Sequence, residues 1–163
     1  MAKNKVATLR GENETLSRDN EKFIQENIQI RAQILKFENS MGEAILLLER
    51  VRGVTSGLYT LLESLRDQSM KDQAQANLVR NKGNQTQLEQ RIDELERKIQ
   101  ESQVLMEANS KTISINKSRF LRNLDEIGIL SASITKTEYQ KEQLNLLAKD
   151  VESLLVSTQG LLK

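Results

Sequence analysis

Apolar residues recur along the chain at alternating spacings of three and four, which places them on one stripe of an α-helix. In heptad letters a to g, one register runs without slip from Val6 to Val79. Its d column (Leu9, Leu16, Phe23, Ile30, Phe37 and onward) is apolar except at Asp72, and its a column carries Asn13, Asn20 and Asn27. A second register starts at Gln85 and Leu88 and runs to Leu162, with Asn109, Asn116 and Asn123 in its d column. Seams sustained this long predict an all-α protein built as a long coiled coil.

The two registers do not join. Carried forward from Ala76, the first would place its next a position at Gly83, two residues before Gln85. Continuous coiled coils absorb insertions of three or four residues, not two. The polar run Arg80-Asn81-Lys82-Gly83-Asn84 carries a turn signal at this offset. The expectation is a single elongated domain over 1–163, with helix 1 at about 3–79, a turn at about 80–84 and helix 2 at about 85–162.

A turn there folds the helices into an antiparallel hairpin. Facing residues would then have numbers adding to 164, pairing Leu9 with Leu155, Ile30 with Ile134 and Phe37 with Ile127. In that register Asn20 faces Leu144, Asn116 faces Leu48 and Asn123 faces Met41. A buried amide without a partner costs about 1–3 kcal/mol, so the seam asparagines are expected to be partly solvated. The alternative is a hinged parallel rod, in which each asparagine meets its own copy and Gly83 marks a joint.

The stripe widens in places beyond what two helices cover. Ile45, Leu47, Val54 and Leu61 widen it in the first half, and Leu105, Leu147, Leu154 and Leu161 in the second. Such a face calls for further helices, so self-association into a bundle is expected. A helix from another protein would serve as well.

Composition agrees with this picture. The chain has no Pro, Cys, His or Trp, and aromatic residues are 3%. Proline would break a helix, and a compact core would want more aromatic volume than a narrow seam needs. Net charge is +1 with no strong basic patch, which argues against nucleic-acid binding. Without His or Cys, the usual zinc ligands and the Ser-His and Cys-His nucleophile pairs are missing, and no phosphate-binding glycine pattern occurs. No cofactor and no enzymatic activity are expected.

No stretch is apolar enough to span a membrane, and the first residues lack the apolar core of a secretory signal. The C-terminal leucine face lacks the basic, aromatic character of a membrane-surface helix. The function expected from these residues is that of a structural, self-associating spacer or scaffold subunit of a larger assembly, such as a filament, virion, tail or cellular scaffold. An adaptor that docks a partner helix is the alternative. Its expected location is the cytoplasm or the interior of a particle.

Overall fold

The structure, a computed structural model, describes residues 1–162. It is all-helical, with two helices packed against each other: α1, Ala2–Ser64, and α2, Gln68–Leu162. Leu65, Arg66 and Asp67 connect them. Nothing in the sequence interrupts either helix, since proline is absent and no glycine takes a positive φ.

The break has a local cause. The Asp67 carboxylate accepts the backbone N–H groups of Ser69 at 2.7 Å and Met70 at 3.2 Å. Those donors have no partner inside the helix, and an aspartate at this position supplies one. The Asp67 carbonyl then accepts from the Lys71 N–H, starting the α2 ladder.

The turn expected at 80–84 is therefore corrected: those residues are helical and lie inside α2. Gly83 faces open space, with nothing within 4 Å of where a Cβ would stand. The second heptad register does not begin at Gln85. It extends back through Lys71, Ala74, Leu78 and Asn81, and of these Ala74 and Leu78 are buried. The first register's supposed continuation, Ser69, Asp72, Ala76 and Val79, is exposed. The two-residue offset is real, but it falls at the Leu65–Asp67 break.

Contacts cluster in two compact units: Phe23–Lys111, and Met1–Lys22 with Thr112–Lys163. In the first, Ile30, Ile34 and Ile99 form a buried cluster with Phe37, Met41 and Met106 against it. Leu95 is completely buried there. In the second, Val6, Leu9 and Ile127 form the cluster, flanked by Leu130 and Ile134.

The facing register also differs from expectation. Leu9 packs with Ile127, not Leu155. Asparagine pairs 13 with 123, 20 with 116 and 27 with 109 have numbers adding to 136 rather than 164. The difference is four whole heptads. Any whole-heptad shift keeps a residues facing d residues, so the apolar columns alone do not choose among these registers.

Candidate functional site

Two features stand out: a set of polar layers between the helices, and apolar faces that nothing covers.

Each polar layer has the same construction. Asn109 donates to Asn27 Oδ1 at 3.0 Å, Asn116 to Asn20 Oδ1 at 2.9 Å and Asn123 to Asn13 Oδ1 at 2.9 Å. The α1 asparagines donate in return to α2 backbone carbonyls three residues before each partner. Asn13 reaches Phe120 O, Asn20 reaches Ile113 O and Asn27 reaches Met106 O, at 3.2 to 3.4 Å. Asn27 also donates to Ser110 Oγ at 3.3 Å. Asn13, Asn27, Asn109 and Asn123 are buried, whereas Asn20 and Asn116 are half-buried. Among the described residues no buried side-chain polar atom lacks a partner. The six asparagines are thus hydrogen-bonded within one chain, neither facing apolar residues nor waiting for a second copy.

Sequence reasoning missed a fourth polar layer. Asn81 donates to the Val51 carbonyl at 2.7 Å and to Thr55 Oγ1 at 2.9 Å. The signal was Thr55 in the first a column, a polar gap that an asparagine placed in a turn could not fill.

Ion pairs flank the seam on both edges. Lys5 and Glu126 (2.6 Å) and Glu12 and Arg119 (2.7 Å) join g positions. Their numbers add to five less than the seam constant. Lys3 and Glu138 (2.9 Å) and Arg52 and Glu89 (3.4 Å) join e positions, and add to five more. The Lys3 ammonium holds the Glu138 carboxyl below its ordinary range. Lys98 and then Arg91 do the same for Glu94 along α2. The side chains of these e-position and α2 pairs are all more than a third exposed, so each pair contributes little to stability.

The residues expected to form an interaction face are all exposed. Ile45, Leu47, Val54 and Leu61 lie on α1, and Leu105, Leu147, Leu154 and Leu161 on α2. A further uncovered face is one the expected register would have buried. Beyond Ile134, every described residue of α2 through Leu161 is exposed, including the seam residues Leu144, Val151 and Leu155. Leu9 was to have covered Leu155. With Leu9 on Ile127, Leu155 is 56% exposed.

Among the described residues no group of three or more acidic side chains is placed to hold a metal ion, and no helix is long and apolar enough to cross a membrane. No family profile matches the chain, and comparison with curated proteins and with solved structures gave no match.

Proposed function

We propose that the chain is a non-enzymatic structural protein. It would fold as an antiparallel coiled-coil hairpin and self-associate as a spacer or scaffold subunit of a larger assembly. The observation that carries this reading is the run of exposed apolar residues on α2 beyond Ile134, at the same heptad positions that pack on α1 before it. A stripe of this kind is stabilised when another helix removes it from water. The asparagine layers support the hairpin half of the reading, because they satisfy every seam amide within one chain.

Sedimentation velocity across a concentration series tests the proposal. The expected result is a mass that rises above that of one 18.6 kDa chain. A chain that stays monomeric at the highest concentrations overturns it.

An adaptor role is favoured by a separate observation: Leu47, Val54 and Leu61 are exposed at three consecutive g positions of α1. The pair Leu47→Asp and Leu61→Asp separates the readings. Under the scaffold reading self-assembly through α2 survives these changes and no function is lost. Under the adaptor reading they abolish binding of a partner helix while leaving self-assembly intact.

A further inference from the structure

We propose that the exposed face of α2 between Leu144 and Leu161 is an interface for a second copy of this chain, with the two α2 segments antiparallel and a two-fold axis level with Ser153. The inference rests on the self-association proposed above and names its surface, partner and register.

The starting point is continuity. Leu130 and Ile134 occupy d and a positions and pack on the Val6–Leu9 cluster. The same columns continue through Thr137, Lys141, Leu144, Ala148, Val151 and Leu155, with Leu147 and Leu154 alongside at g. All of these are exposed. The occupied part of the seam also supplies the rule for its edges: e residues pair at the seam constant plus five, and g residues at the constant minus five.

Applied to two copies of α2, that rule separates the registers. A parallel pair stacks Lys141 on its own copy in the seam and sets Leu147 beside Glu152, burying like charge. An antiparallel pair centred on Leu146 requires the second copy's Thr158 opposite Ile134, a place already taken by α1. Centring between Lys149 and Asp150 brings Glu152 against its own copy at the e edge. Centring on Ser153 removes each conflict. Val151 meets Leu155 twice, Ala148 meets Thr158 twice, and Leu147 meets Leu154 twice along the g edge. Glu152 meets Gln159.

The test uses the full chain. It has no cysteine, so Glu142→Cys, on the outward b position, carries a single spin label. Labels on two copies would lie 22 residues apart along the axis in the Ser153 register, about 33 Å at 1.5 Å per residue. A separation of about 22 Å would identify the Lys149–Asp150 centre, and about 10 Å a parallel pair; either overturns the proposal. Charge placement gives a second reading. Gln159→Glu should weaken the dimer severalfold by facing Glu152, and adding Glu152→Lys should restore it. No effect from Gln159→Glu overturns the register.

Val151→Asp with Leu154→Asp should leave helicity intact, because both side chains are exposed, and should abolish dimerisation. If the variant still self-associates, this surface is wrong while the scaffold reading stands. If the unaltered chain never self-associates, both fall.

Discussion

A single asparagine on an apolar seam is a liability, and a matched pair is a constraint. In each of the three pairs, the α2 asparagine gives its amide to an α1 asparagine, which gives its own to an α2 carbonyl. Removing one partner strands the other. Asn123→Leu should cost about 1–3 kcal/mol in chemical denaturation, whereas Asn13→Leu with Asn123→Leu should be near neutral or stabilising. What the double change loses is discrimination between registers. A slip of one heptad would place Asn13 against Leu130 and Asn109 against Ile34. The layers penalise that slip, whereas the leucines around them tolerate it. Asp67 is a second residue with a defined role. Asp67→Ala should destabilise the chain by about 1 kcal/mol through loss of the α2 cap. Glu138 supplies a pH signature. Its lowered pKa means the Lys3 pair contributes above the usual carboxylate range and is lost as pH falls through the depressed value. Carboxyl NMR should place its midpoint below 4.5, and Lys3→Gln should bring it back up.

At the scale of the element, the position of the break distinguishes two readings of one sequence. Gly83 would serve a turn, but it sits on an exposed, fully helical stretch of α2. Gly83→Ala should therefore raise stability by about 0.5–1 kcal/mol, measured by thermal or urea unfolding; a loss would restore the turn to that site. The helical class and the two offset registers were legible in the spacing of Leu, Ile and Asn. The break was not, because a glycine between polar residues resembles a turn more than Ser64-Leu65-Arg66-Asp67 does. Three residues suffice here because an aspartate cap can start a helix without glycine. Ser69 and Asp72, polar intrusions into an apolar seam, were the better marker. The pairing register was also present in the numbers. The triplets at 13, 20, 27 and 109, 116, 123 mirror each other about residue 68. That symmetry becomes visible only when asparagines are matched with asparagines rather than with themselves in a second chain.

For the whole molecule, the register decides what remains uncovered. The expected pairing would have hidden Leu144, Val151 and Leu155 beneath α1, whereas the observed one exposes them. Spin labels at positions 9 and 155 of one chain, diluted into unlabelled protein, report this directly. Leu9 lies beside Ile127, and 28 residues of helix separate Ile127 from Leu155, so the labels should stand about 40 Å apart. About 10 Å would mean that α1 covers the end of α2 instead. The exposed face was foreseen only at its g positions, because identifying uncovered a and d positions requires knowing where the opposing helix lies.

The three-residue connection also sets an order in time. The Thr55–Asn81 contact spans 26 residues of chain and the Asn13–Asn123 contact spans 110. Closing the first loop costs less entropy, and zipping outward from it spares the longer closures. Assembly should nucleate beside Asp67, with each asparagine pair met later as a checkpoint that a mispaired zipper fails. Substitutions at Leu62 or Ala74 should then slow folding, and those at Asn13 or Asn123 should mainly hasten unfolding, as stopped-flow kinetics would resolve.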